Sequence, residues 1–369
     1  MKHASVSEFV DKVQTWDPRK QGAGTTLRYI DIGSVSQIEK VIENPPTIQA
    51  EEAPSRARQI VKAGDILIST VRPNLNAVAL VPDELDGATA STGFSILRPD
   101  NAHLTRNYLF HWVRTQAFIS EMMRQATGQS YPAVSDKIVK ASKIPLPPLE
   151  EQRRIAGILD QADALRRLRN RALDKLNTLG QAIFHEMFGD ISRNCKNLPQ
   201  LSLTDALTFK TGKLDSNAAV EGGRYPFFTC AKEASTIDKF AFDGEALLLA
   251  GNNANADYDV KYYKGKFNAY QRTYVLTLKS ENLTYQYVQR ALETMLGEMK
   301  RFSKGSNTKY LTMEIFRRMQ LCIPDLQLQL LYAERAKALA REKLVADAAS
   351  SEAQTLFCSL QHSAFRGQL

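Results

Sequence analysis

Cysteine is scarce in this 369-residue chain, and its four copies, Cys195, Cys230, Cys322 and Cys358, lie far apart. No pair has Cys-x-x-Cys spacing, which argues against a zinc knuckle and for reduced thiols. The five histidines, His3, His103, His111, His185 and His362, show no metal-ligand spacing either. No run of about 18 apolar residues occurs, so no membrane span is expected. The opening segment MKHASVSEFVDKV alternates charge with apolar residues and lacks the uninterrupted apolar core of a signal peptide. A cytoplasmic location is the expectation. No G-x-x-x-x-G-K-[ST] loop is present, so ATP hydrolysis is not expected of this chain.

The composition, 43% hydrophobic and 24% charged, is that of a globular protein long enough for two domains. Lys and Arg number 48 against 40 for Asp and Glu, a net charge of +8 with a pI of about 9.2. That excess suits a polyanionic partner, and it equally suits a solvated surface.

Internal repetition is the most informative feature. GDILISTV at 64–71 matches GEALLLAG at 244–251, at an offset of 180 (244 − 64). The run Ile144 to Gln152 matches Ile323 to Gln329 at 179 (323 − 144), and His185–Gly189 matches His362–Gly367 at 177 (362 − 185). Each half therefore has one plan. A segment of short apolar runs comes first, and Tyr29–Val35, Ile66–Val71, Ala77–Val81, Ala246–Ala250 and Tyr274–Leu278 read as strands. Tyr108–Arg124 and Tyr285–Met299 read as helices within these segments. A proline-containing linker and a long helix close each half.

The first long helix is expected from about Glu150 to Phe188, after Pro147-Pro148 and before Gly189. Its apolar positions, Ile155, Leu159, Ala162, Leu165, Ala172, Leu176, Leu179, Ile183 and Met187, are spaced by three and four as in a single buried seam. The second, about Leu326–Phe365, carries Ala333, Ala336, Ala340, Leu344, Ala348, Leu356 and Leu360. Two such stripes can bury each other, and the repeat would make the helices antiparallel. Alternatively, each helix packs on its own domain. His185 and His362 are equivalent and sit near helix C-termini, where the dipole favours them.

The stretch Ile144–Asp190, IPLPPLEEQRRIAGILDQADALRRLRNRALDKLNTLGQAIFHEMFGD, resembles the central region of type I restriction–modification specificity subunits. The terminus SLQHSAFRGQL is similar to the end of that family's second conserved region. Tyr29–Val35, Ile68–Asn76 and Ala90–Phe94 resemble one class of its recognition domains, and Gly251–Ala254 and Phe267–Tyr274 another. The chain departs from the family at Pro324-Asp325-Leu326-Gln327, which replaces the usual proline-rich, acidic start. The resemblance implies an α+β protein with two globular target recognition domains separated by two long antiparallel spacer helices, a pseudo-two-fold internal repeat. The expected segments are 1–146 and 191–323 for the recognition domains, and 147–190 and 324–369 for the helices. It further implies a bipartite, asymmetric target on double-stranded DNA, with the helices as a ruler for the unread gap. Two modification subunits, which carry S-adenosylmethionine, and motor-nuclease restriction subunits, which use ATP and Mg, would be the partners. No cofactor or metal is expected in this chain.

DNA recognition needs cations for phosphates and forked amides or guanidinium groups for base edges. The first half offers Arg72, Asn74 and Asn76 after a strand, and the loop Gly128-Gln129-Ser130-Tyr131. The second offers Asn252, Asn253, Asn255, Asn268, Gln271 and Arg272, and the loop Lys304-Gly305-Ser306-Asn307-Thr308-Lys309-Tyr310. The loops share an offset of 177 (305 − 128). Asn also serves turns, so each of these has a structural reading beside the recognition one.

Two other functional classes stay open on the residues alone. One is a self-sufficient adenine methyltransferase or nuclease. Asn44-Pro45-Pro46-Thr47 has three of the four positions of the Asn-Pro-Pro-aromatic motif, but Thr47 supplies no stacking ring and no F-x-G-x-G turn stands upstream. Glu298-Met299-Lys300 and Asp259-Val260-Lys261 have the acid-x-Lys form of nuclease sites without an upstream partner. No catalytic residue is therefore assigned. The other class is a coiled-coil assembly protein without DNA specificity.

Overall fold

The structure, a computed structural model, describes residues 2–20, 24–128, 130–253, 256–305 and 308–369. The chain divides into two compact units, Met1–Ala172 with Asp347–Leu369, and Leu173–Ala346.

In the first unit, β1 (His3–Ser5) pairs antiparallel with β9 (Lys143–Pro145), which returns the chain to its start. Between them, β2 (Thr26–Ile30), β3 (Thr47–Gln49), β4 (Ala57–Ile60) and β7 (Thr89–Ser91) form a four-stranded sheet in the order β3-β2-β7-β4. A three-stranded sheet, β6-β5-β8, joins β5 (Ile66–Ser69), β6 (Val78–Leu80) and β8 (Phe94–Leu97). β5 and β8 are buried at every position, and their two serines are satisfied there: Ser69 Oγ donates to Val71 O and Ser95 Oγ to Asp136 Oδ1. Tyr29–Val35 is a strand only to Ile30. Asp31 then caps a 3-10 turn by accepting from Ser34 N. The expected helix Tyr108–Arg124 is two helices, α1 (Arg106–Trp112) and α2 (Gln116–Gln125). Thr115 causes the break, because its side chain caps α2 at Phe118 N. α3 (Asp136–Ala141) follows, and then α4 (Leu149–Phe188).

The second unit repeats the outer frame. β10 (Gln200–Ser202) pairs antiparallel with β19 (Gln320–Cys322). α5 (Leu203–Ala206) leads into a six-stranded sheet, β11-β17-β14-β16-β12-β13. Its strands are β11 (Leu207–Thr211), β12 (Tyr225–Phe228), β13 (Ser235–Ile237), β14 (Phe242–Ala250), β16 (Val260–Ala269) and β17 (Thr273–Leu278). A two-stranded ribbon pairs β15 (Asn252–Asn253) with β18 (Lys309–Tyr310). α6 (Tyr285–Phe302) carries a buried face of Tyr287, Val288, Ala291, Leu292, Met295 and Met299. α7 (Met313–Arg318) and α8 (Leu326–Phe365) complete the chain, and Asp325 Oδ1 accepts from Gln327 N to start α8.

Each long helix contributes to both units. In the first unit, α4 and the end of α8 run antiparallel: Arg154 Nη2 donates to Leu369 O (2.8 Å) and Ser350 Oγ to Asn170 Oδ1 (2.6 Å). In the second, the rings of Phe184 and Phe188 on α4 meet Tyr332 on α8 at 5.3 and 5.4 Å. The same glutamine anchors the start of each helix. Gln152 donates to His103 O and Pro147 O and accepts from Thr105 N. Gln329 donates to Asn282 O and Pro324 O and accepts from Thr284 N. Beside them, Tyr108 donates to Pro145 O and Tyr287 to Cys322 O.

The expected seams need correction. On α4, Ile155, Leu159, Ala162 and Met187 are buried, but Leu165 is 39% and Leu179 46% exposed. Asp163 and Arg166 take the buried positions instead. On α8, Ala333 is buried as expected, but Leu344 is 74% and Leu356 48% exposed, and Tyr332, Ala353 and Phe357 take buried positions instead.

Candidate nucleic-acid interface

Each unit builds the same loop frame at the end of a buried strand. In the first, Thr127 and Ala133 exchange two backbone hydrogen bonds of 2.9 Å, closing a loop mouth. Ala133 also bridges Val71, Arg72 N donates to Pro132 O (2.7 Å) and Val134 N to Thr70 O (2.9 Å). In the second, Lys304 and Tyr310 exchange bonds of 3.1 and 2.9 Å. Asn252 and Asn253 pair with Tyr310 and Lys309, and Leu311 N donates to Gly251 O. Gly128 (φ +92°) and Gly305 (φ +110°) open the two loops. A Cβ there would stand 2.9 Å from Tyr131 O and 2.0 Å from Thr308 O, so both turns require glycine.

This pairing keeps the loop offset at 177 but moves the strand offset to 181. Ile66 faces Leu97 as Leu247 faces Leu276 (247 − 66 = 181), and Val71 corresponds to Asn252. The match of Gly64 to Gly244 is therefore one residue out. Gly64 lies in the turn before β5, whereas Gly244 lies within β14 opposite Gly265.

In the first unit, Arg72 (φ +51°) enters a 3-10 turn, Pro73–Leu75, that ends at Asn76 (φ +46°). Arg72, Asn74, Ser130 and Tyr131 are exposed, and the Arg72 guanidinium lies 4.6 Å from the centre of the Tyr131 ring. Asn76 does not belong with them. It is 9% exposed, its Nδ2 donates to Val113 O (2.9 Å), and Lys40 Nζ donates to both its backbone and side-chain oxygens. Its amide is spent on fixing the turn. Burial, then the charges of Arg114 and Arg166, lower the Lys40 pKa to about 8 against the opposing pull of Asp163. Gln129 lies outside the described residues.

In the second unit, a cavity of about 340 Å³ is lined by Thr211, Asn252, Gln271, Arg272, Tyr274 and Tyr310, among others. The Cys230 thiol donates to Asn252 Oδ1 (2.8 Å), and Gln271 Nε2 donates to Asp215 Oδ2 (3.3 Å). Asn253 exchanges hydrogen bonds with the Asp257 backbone (3.2 Å each). Arg272 is exposed and makes no ion pair among the described residues; the same holds for the half-buried Lys309. Lys304 pairs with Glu314 at 2.9 Å, and Tyr310 is 43% exposed. Asn268 is a second correction. At 4% exposure it donates to Lys239 O and accepts from Ala269 N, both at 2.9 Å. Asn255, Ser306 and Asn307 lie outside the described residues.

The residue-level reading missed Lys210, Thr211 and Lys213. β11 pairs Thr211 with Tyr274, and Gln271 N donates to Leu214 O, so this exposed segment flanks the same cavity. The signal was the run Lys-Thr-Gly-Lys, two cations about a glycine. Gly212 is needed there because a Cβ would fall 1.6 Å from Ala269 O. Asn44 (φ +45°) and the buried Pro45 form a rigid bend leading into β3. Among the described residues no group of three or more His, Cys, Asp or Glu could hold a metal ion, and no helix is long and apolar enough to cross a membrane.

Comparison with known proteins meets this geometry. The EcoDI type I restriction enzyme specificity subunit of Escherichia coli is 38% identical over 145 residues, 38% of this chain and 30% of that protein. The chain thus spans under a third of that relative. The MjaVIII specificity subunit of Methanocaldococcus jannaschii is 24% identical over 317 residues, 76% of this chain and 73% of that one. Two solved structures share the fold. One is a chain from work on complex assembly and conformational transition of the type I R-M system (TM-score 0.59, 24% identity, 100% of this chain and 98% of that one). The other is the type I restriction–modification S subunit of M. genitalium (TM-score 0.64, 13% identity, 99% and 96%). A family model described as the type I restriction modification DNA specificity domain matches twice, at residues 20–178 and 200–344, one copy for each arm of the repeat. The chain belongs to that family.

Proposed function

We propose that this chain is the sequence-reading subunit of a type I restriction–modification complex, with each unit reading one half of a bipartite, asymmetric target in duplex DNA. The observation that carries this reading is the recurrence of one glycine-opened loop, stapled to one strand end, in both units. In each case it sets exposed cations, amides and an aromatic ring side by side, the side-chain set for phosphates and base edges. Arg72, Asn74, Ser130 and Tyr131 serve one half-site. Asn252, Gln271, Arg272, Lys304, Lys309 and Tyr310, with Lys210 and Lys213, serve the other. The shared frame holds the loops and the differing side chains give the two half-sites different sequences.

The chain itself is non-catalytic in this reading. It lacks a methyl-donor turn and a base-stacking ring after Asn44-Pro45-Pro46. Methyl transfer with S-adenosylmethionine falls to two modification subunits, and ATP- and Mg-dependent cleavage to restriction subunits, in the cytoplasm. Selection of random-sequence duplexes by the purified chain should enrich one bipartite motif. Enrichment of no motif overturns the reading. Radiolabelled methyl transfer to DNA by the chain alone overturns its non-catalytic part.

A further inference from the structure

We propose that Arg72, held against Tyr131, reads a guanine in the half-site bound by the first unit. This rests on the DNA-reading function proposed above and names the base that one residue would select.

Four observations converge on Arg72. Its backbone is fixed on both sides: its N–H donates to Pro132 O, its carbonyl accepts from Leu75 N, and the turn it opens is tied down at Asn76 by Lys40 and Val113. Both Arg72 and Asn76 sit in the left-handed region, which non-glycine residues occupy at a cost and which clusters at functional sites. The guanidinium is exposed and makes no ion pair or side-chain hydrogen bond among the described residues. Arg19, Arg124 and Arg154, also exposed in this unit, lie on the carboxylates of Asp17, Glu121 and Glu151, whereas Arg72 lies on a ring. Finally, the Tyr131 ring is 67% exposed, so stacking, not burial, keeps the two together.

A guanidinium lying on an aromatic ring keeps its donor fork directed outward in one plane. That arrangement matches the O6 and N7 acceptors of guanine in the major groove, the pairing that a fork makes best. Preorganisation lowers the ordering cost of binding, so discrimination is concentrated at that base.

The repeat separates this role from a general phosphate contact. The backbone pairing places Asn253 at the position of Arg72 and Thr308 at that of Tyr131. Asn253 exchanges its amide hydrogen bonds with the backbone of its own loop at Asp257. The loop frame is common to both units, while the described positions of the second that correspond to the stacked pair, Asn253 and Thr308, carry neither a guanidinium nor a ring. A part used to hold any duplex would recur; one that differs between two readers of different sequences selects.

The test is selection of random duplexes by the full-length chain as wild type, Arg72→Lys, Arg72→Ala, Tyr131→Phe and Tyr131→Ala, with thermal melts to verify folding. Wild type should return a bipartite motif with a fixed G·C pair in one half. Arg72→Lys keeps the charge but loses the fork, so discrimination at that pair should fall by about 5- to 140-fold, with the other half-site unchanged. Tyr131→Ala should weaken discrimination at the same pair and Tyr131→Phe should not. If the wild-type motif is recovered and Arg72→Lys leaves it intact, or relaxes an A·T pair, the guanine assignment fails alone. If Arg72→Ala weakens all sequences equally, Arg72 is a phosphate contact and the assignment likewise fails. If wild type enriches no motif, the DNA-reading function fails with it.

Discussion

Where the first unit buries Asp163 between α4 and α8, the second has Ala340, and where the first packs Phe357, the second has Gly180. In the first unit Asp163 accepts from Arg114 at 2.8 and 3.1 Å, from Arg166 at 2.9 and 3.0 Å, and pairs with Arg167 at 2.9 Å. The Phe357 ring lies 5.2 Å from the Arg114 guanidinium and 5.7 Å from that of Arg166. In the second unit the equivalent space is a cavity of about 470 Å³, lined by Gly180, Tyr332, Ala336 and Ala340, with Arg290, Glu293, Lys337 and Lys343 around it. The joints share their glutamine and tyrosine anchors and differ in their filling. The anchors therefore fix where the helices start, and the filling sets how much each unit loses when the joint is disturbed.

Asp163→Asn should have the largest effect. It leaves three guanidinium groups facing an uncharged amide, and removing one partner of a buried ionic cluster costs about 3–5 kcal/mol. Burial alone would raise the Asp163 pKa. The Arg114 hydrogen bonds, with the charges of Arg114, Arg167 and Arg166, instead hold it at about 2. A folded value below the unfolded one, about 3.9, means stabilisation that is present above about pH 4 and lost as the pH falls toward 2. Hydrogen exchange followed from pH 5 to 2 should show the first unit opening in this window. The variant should lose that pH dependence, and the second unit, with Ala340, should show none from this position. Stability of the variant within about 1 kcal/mol of wild type would mean that the cluster is not the centre of the joint.

The anchors give the next effect, and here the units should behave alike. Gln152→Ala and Gln329→Ala each strand one backbone N–H and two carbonyls, and a buried unsatisfied group costs about 1–3 kcal/mol. Each loss should be confined to its own unit in residue-resolved exchange. Clearly unequal losses would break the equivalence of the two frames.

The frame was legible in the sequence, because the loop glycine, the proline-containing linker and the glutamine after it recur at nearly constant offset in the two halves. The offset of 177 and the bounds of α8 follow from it. The filling was hidden for a physical reason. Apolar periodicity counts Leu165 and Leu344 as seam residues, yet a carboxylate with three arginines can occupy the buried line and leave a leucine outside. The two corrected asparagines fail similarly. Asn76 and Asn268 have the chemistry of base readers, and only their burial and hydrogen bonds reveal that the amide is already used. The break between α1 and α2 hinged on the Thr115 hydroxyl finding Phe118 N, which no composition count detects.

The loops should differ in their salt response. The second carries Lys304 and Lys309 where the first has Thr127 and Pro132. Lys309→Ala should weaken binding to all sequences and reduce the slope of log K against log salt by about one unit. Lys304→Ala should reduce it less, since Glu314 already holds that ammonium. Equal slopes for wild type and both variants, measured by titration at several salt concentrations, would move the phosphate contacts away from this loop.

The smallest effect tests the cavity. Gly180 lies within α4, where glycine costs up to about 1 kcal/mol relative to alanine. A Cβ added there would stand 2.9 Å from Leu339 Cδ2 and 4.0 Å from Lys343 Nζ, with no other contact within 4 Å. Leu339 Cδ2 is the far end of a flexible side chain that itself lines the cavity, so it has space to turn into. Gly180→Ala should therefore stabilise the second unit by about 0.5–1 kcal/mol, through helix propensity and reduced freedom of the unfolded chain. Exchange of the first unit should not change. A destabilised second unit would instead show that Leu339 cannot yield and that Gly180 sets the approach of α4 to α8 there. The contrast with Phe357 would then be one of helix spacing, not of a space left unfilled.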